Sequence, residues 1–100
     1  MATVTFKVGA YPGAGKVHPY TVTGLVNGSQ VLTLPAPPLA GSFDPSGTET
    51  PTVVRFVSYQ NGAQGAFCTC DPATISNNGT GTISFTVWAS GNTDAIMEVY

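Results

Sequence analysis

Residues 82–89 read Thr-Ile-Ser-Phe-Thr-Val-Trp-Ala, an unbroken alternation of apolar with mostly hydroxyl-bearing side chains. A period of two belongs to an extended strand, whose successive side chains leave opposite faces; it does not build the apolar stripe of a helix. Ile83, Phe85 and Val87 therefore share one face, and Thr82, Ser84, Thr86 and Trp88 the other. Near the start, Val4, Phe6 and Val8 alternate with Thr3, Thr5 and Lys7 in the same way. Tyr20-Thr21-Val22-Thr23 repeats the pattern and continues into Leu25-Val26, and strand signal returns at residues 30–34, 52–59, 65–70 and 95–100. Fourteen of the 100 residues are threonine, whose branched Cβ suits a pleated, half-buried surface.

Turn residues divide these runs. Asn27-Gly28 is a strong hairpin signal, because both central residues of a type I′ turn take positive φ, and it predicts direct pairing of the strands on either side. Asn61-Gly62 offers a second turn, Asp71-Pro72 stops a short strand, residues 75–81 read as a loop or irregular hairpin tip, and Ser90-Gly91-Asn92 leads into the last strand. About seven strands with such spacing indicate an all-β chain, a sandwich or small barrel. We expect a single-domain antiparallel β-sandwich over residues 1–100, Ig-like or jelly-roll-like. The expected core is Val4, Phe6, Val8, Val22, Leu32, Leu34, Val54, Phe56, Ile83, Phe85, Val87, Met97 and Val99.

Residues 35–51 break the periodicity with five prolines and two glycines in seventeen positions. Proline has no N–H to give a ladder, so this segment is expected to be an extended arm or inter-sheet crossover and the best contact element of the chain. Deleting residues 35–42 is expected to leave the monomer folded and to abolish assembly.

Only eight residues are charged and the formal net charge is −2. Three scattered cations cannot neutralise a run of phosphates, so no nucleic-acid partner is expected, and the same scarcity argues against a polybasic membrane anchor. No apolar run approaches the ~20 residues of a spanning helix, and Met-Ala-Thr-Val-Thr lacks the basic and apolar regions of a secretory leader. Charged edges are the common defence against unwanted strand pairing. Hydroxyl-lined, nearly uncharged sheets therefore suggest surfaces that neighbouring chains cover.

Catalytic, cofactor and metal motifs do not survive inspection. The segment Ala10-Tyr-Pro-Gly-Ala-Gly-Lys16 lacks the first glycine of a phosphate loop, and Val17-His18-Pro19 supplies no magnesium hydroxyl after Lys16. His18 is the sole histidine and no Gly-x-Ser-x-Gly elbow exists, so His18 is expected at the surface or an interface. Asp44, Asp71 and Asp94 stand isolated, as do Glu49 and Glu98. Cys68-Thr69-Cys70 would present both thiols on one strand face; reduced, buried thiols are the leading reading, with metal binding or an intermolecular disulfide as alternatives. Asn27-Gly-Ser29 and Asn78-Gly-Thr80 match glycosylation acceptors and read simply as turns. No enzyme activity, cofactor or metal is expected. Candidate interface residues are Tyr11, Pro37, Pro38, Leu39, Phe43, Trp88 and Tyr100.

The Thr/Ala/Gly/Val-rich strands, the proline-rich segment 35–51 and strand-like sequence running up to Tyr100 resemble, in overall character, small virion structural proteins of tailed bacteriophages, in particular head decoration or cement proteins. The resemblance implies a β-rich domain made in the host cytoplasm and bound to the capsid surface of the virion. It implies the major capsid protein or other virion subunits as partners, and a homo-oligomer, often a trimer. The alternative is a carbohydrate-binding or adhesin-like β-sandwich module with Trp88 and Tyr59 on a concave aromatic face.

Overall fold

The computed structural model describes residues 5–8, 17–37, 49–62, 64–78 and 81–100. Among the described residues eight strands are present: β1 (Thr5–Val8), β2 (His18–Leu25), β3 (Gly28–Pro35), β4 (Val54–Gln60), β5 (Cys68–Cys70), β6 (Ser76–Asn77), β7 (Thr82–Ala89) and β8 (Thr93–Val99), with one 3-10 turn at Pro72–Thr74. They form two antiparallel sheets packed into a sandwich, in the orders β1-β2-β8-β4 and β3-β7-β5, with β6 also on β7. The all-β, single-domain antiparallel sandwich expected from the alternation is what the chain forms.

The connectivity is that of a jelly roll: β8 lies between β2 and β4 in the first sheet, while β7 lies between β3 and β5 in the second. Asn27-Gly28 consequently does not close a hairpin, because β2 and β3 belong to different sheets. Of the two residues only Gly28 has positive φ, at 105°, so no type I′ turn forms. Asn27 N donates instead to Asn92 Oδ1 (3.0 Å), in the connection between β7 and β8. A third inter-sheet connection, from β4 to β5, joins these two at the same end of the sandwich. Asn61 Nδ2 and Gly24 N both donate to the Asp94 carboxylate (3.0 and 2.9 Å), and these bonds hold it below the usual carboxyl range. Gly62 must lack a side chain, because a Cβ there would run into the buried Thr93 hydroxyl.

At the opposite end, segments flanking the proline-rich stretch are sewn in place. Ala36 N donates to Gly81 O (2.8 Å), Glu49 N to Pro37 O (2.9 Å), and Thr52 N and Val53 N to Tyr100 O (3.1 and 2.9 Å). Ala36 and Pro37 are buried, as is Pro51. Pro37 is therefore a core residue and not the exposed interface residue expected of an arm: the chain leaving β3 folds over the end of the sandwich.

The core contains Val22, Leu32, Leu34, Ile83, Phe85, Val87, Met97 and Val99, with Val54 and Phe56 packed against it. Val4 lies outside the described residues, as do the side chains of Phe6 and Val8. Tyr20, Leu25, Ala89 and Ala95 also belong to the core. His18, expected at the surface or an interface, is 3 % exposed. It opens β2 on the same parity as Tyr20 and Val22, so the strand turns it inward, where Nε2 meets Glu49 Oε2 at 3.0 Å.

Candidate functional site

The two sheets differ in charge. Lys7, Arg55, Asp94 and Glu98 all belong to strands of the first sheet, and Arg55 pairs with Glu98 across β4 and β8. No residue in any strand of the second sheet is charged. Its inward positions, Leu32, Leu34, Ile83, Phe85 and Val87, fill the core, and the alternate positions form an outer face of Ser29, Val31, Thr33, Ser84, Thr86 and Trp88.

Trp88 stands near one end of this face, flanked by Ser29 on β3 and Thr69 on β5. It is 43 % exposed, and Phe67, 46 % exposed, lies beside it with ring centroids 5.5 Å apart. Phe67 is fixed by reciprocal bonds to the turn after β7: its N donates to Ser90 Oγ (2.8 Å), and Ser90 N donates to its carbonyl (2.9 Å). Val31, diagonal to Trp88 and opposite Thr86, is 64 % exposed. The result is an uncharged face that combines an aromatic pair, one branched aliphatic side chain and a field of hydroxyls. The two rings are tilted by 56°, so they do not make one flat plane.

Among the residues expected at an interface, Trp88 is on this face. Tyr100 is exposed where β8 ends, its backbone engaged with Val53, and is remote from Trp88, which lies at the other end of the sandwich. Tyr11, Pro38, Leu39 and Phe43 lie outside the described residues. Tyr59 does not stack with Trp88: its hydroxyl accepts from Cys68 N (2.9 Å), tying β4 of one sheet to β5 of the other. Phe67 lies within the 65–70 strand signal but was not singled out; the chain pairs there only over Cys68–Cys70, and Phe67 shares the parity of Thr69, which the structure sets opposite Trp88.

The cysteines are free, Cys68 buried and Cys70 half-buried, on the same side of β5. Burial raises the Cys68 thiol above its ordinary pKa, and burial together with the neighbouring Asp71 carboxylate pushes Cys70 up to about 11. His18 lies at the opposite end of the sandwich, so the imidazole and the two thiols are not brought together. Among the described residues no group of three or more His, Cys, Asp or Glu is placed to hold a metal ion. Since the thiolate is the reactive form, native Cys70 should react with a disulfide reagent at pH 7 about 100-fold more slowly than in the urea-unfolded chain. Equal rates in a stopped-flow thiol titration would mean that this strand is open to solvent.

No helix of the described residues is long and apolar enough to cross a membrane. No protein-family model matches the chain, and neither a curated protein nor a solved structure does so.

Proposed function

We propose that this protein is a non-enzymatic structural component of a virus particle, one that decorates or cements a bacteriophage capsid through protein–protein contacts. The observation that carries the reading is the charge-free outer face of β3-β7-β5, with Trp88, Phe67 and Val31 exposed on it. Aromatic anchors in a surface depleted of charge are the composition of interface centres. A capsid repeats one site many times, so a modest contact per subunit suffices when copies are multiplied by symmetry. The opposite face keeps Arg55 and Glu98, as suits the side left toward solvent. A carbohydrate-binding module would also use exposed rings, but a sugar stacks on a flat face, and the tilt of Phe67 against Trp88 favours a protein partner.

Gradient-purified particles of the virus whose genome encodes this chain test the reading by mass spectrometry. The chain should be a stoichiometric component, and Trp88→Arg should lower its retention at least about 10-fold while its thermal melt stays within a few degrees. Particles that lack the chain would overturn the reading. A monomer that shifts on a glycan column through Trp88 would support the carbohydrate-binding alternative instead.

A further inference from the structure

Among the described residues the two sheets present four edges, and two of them carry a device that obstructs pairing with another chain. A third edge, β1, is described over Thr5–Val8. β4 has a register shift between Phe56 and Ser58 and carries Arg55. The β5–β6 edge is interrupted by Asp71 and the 3-10 turn Pro72–Thr74, so that five of its residues stand opposite two of β7 between the paired positions Cys70↔Val87 and Ser76↔Ser84. β3 has none of these between Gly28 and Leu34, its one proline standing at the last position, Pro35. Its eight residues pair with β7 without a shift from Gly28↔Ala89 to Pro35↔Thr82, and no charge occurs along it.

The ladder also shows which of its main-chain groups are free. Ala36 N donates to Gly81 O one step beyond Pro35↔Thr82, which continues the register. Hydrogen-bonded and non-hydrogen-bonded pairs alternate in an antiparallel ladder. Residues 34, 32, 30 and 28 therefore bond to β7, and residues 33, 31 and 29 turn their N–H and C=O groups away from it, as Pro35 does its carbonyl. Thr86, opposite Val31, agrees with this phase, because its carbonyl accepts from Asp71 N on the far side of β7. The Pro35 carbonyl is taken by the Tyr20 hydroxyl (2.9 Å). Ser29, Val31 and Thr33 remain, and among the described residues no strand pairs with them.

We infer that β3 is a dimerisation edge, on which a second copy of this chain adds its own β3 in antiparallel orientation about a twofold axis at Val31. Read against itself, the edge pairs Val31 with the partner's Val31 and Ser29 with the partner's Thr33. All three outward N–H groups and all three carbonyls meet partners, each pair exchanging both bonds. The exposed valines become a cross-strand apolar pair, and no like charges oppose one another. The product is one continuous sheet across two sandwiches, with both Trp88 faces uncovered for a further partner. A second copy fits better than an arbitrary peptide because the strand is its own complement in charge, length and register. The dimer does not depend on the capsid reading and can fail or stand separately from it.

Sedimentation equilibrium on the full chain tests the inference. A contact of one strand is small, below about 1,000 Å², so association should be weak and read between about 10 µM and 1 mM. Over that range the average mass should rise from 10.2 kDa toward that of a dimer. Val31→Pro removes an N–H that makes no bond within the monomer, and Val31→Lys sets two cations against each other. Each should weaken association about 10-fold or more with strand circular dichroism unchanged, and Val31→Lys keeps the test open should the proline variant misfold. Trp88→Arg should leave association unaltered. A mass fixed at the monomer value, or a dimer indifferent to Val31→Lys, overturns the inference.

Discussion

Replacing Tyr20 with alanine should cost about 3–5 kcal/mol of unfolding free energy, a large part of the roughly 5–15 kcal/mol that holds a domain of this size together. Tyr20 is the largest fully buried side chain among the described residues, lying on β2 with Val8 and Met97 as its backbone partners. Its hydroxyl reaches the other sheet and donates to the carbonyl of Pro35 at the end of β3. One residue thus fills the core and bolts the sheets together where the chain leaves β3. Burial raises its phenol pKa well above the ordinary value, so the hydroxyl remains a neutral donor into alkaline solution. Tyr20→Phe keeps the ring and loses the bond, and should cost about 1 kcal/mol. Urea unfolding of both variants measures the two parts separately. If Tyr20→Ala unfolds within about 1 kcal/mol of the parent chain, the ring is not a keystone of the core.

Strand positions were legible because parity is a local property. Residues 82–89 fix their own inward and outward sets whatever they pair with, and the structure keeps that division from Thr82 to Ala89. Pairing is not local. Asn27-Gly28 has the chemistry of a hairpin turn, but β2 and β3 bury their apolar faces against each other across the core, and each ladders with a strand from the far end of the chain, β2 with β8 and β3 with β7. His18 shows the same limit: the sequence holds no catalytic partner motif for it and so places it at a surface or an interface, yet β2 begins at His18 and parity with Tyr20 and Val22 carries the imidazole inward. The candidate surface was visible in outline. Low charge and Trp88 pointed to a covered face, while composition could not show that Arg55, Asp94 and Glu98 would all fall on one sheet.

Deletion of residues 35–42 should destroy the cooperative fold and not merely remove an arm. Three of the deleted residues are structural. Pro35 is the last partner of Thr82 and supplies the carbonyl that Tyr20 bonds. Ala36 and Pro37 are buried, Ala36 N continues the ladder to Gly81, and the Pro37 carbonyl accepts Glu49 N, which brings the returning chain back beside the departing one. That return sets Glu49 against His18, and the strand of chain that follows zips Thr52 and Val53 onto the Tyr100 carbonyl. Losing the buried residues, the Tyr20 acceptor and this closure together should remove about 4 kcal/mol or more, enough to lower the melting temperature by on the order of 15 °C or to abolish the transition. Because a deletion also shortens the connection, Ala36→Asp provides the matched control: it places an unpaired carboxylate in the same buried spot at constant length and should destabilise by several kcal/mol for want of solvation, about 3 kcal/mol at least. Thermal melts followed by circular dichroism decide the matter. A deletion variant that melts within a few degrees of the parent, with Ala36→Asp equally benign, would mean that the chain beyond β3 is a detachable arm after all, and that the sandwich closes without it.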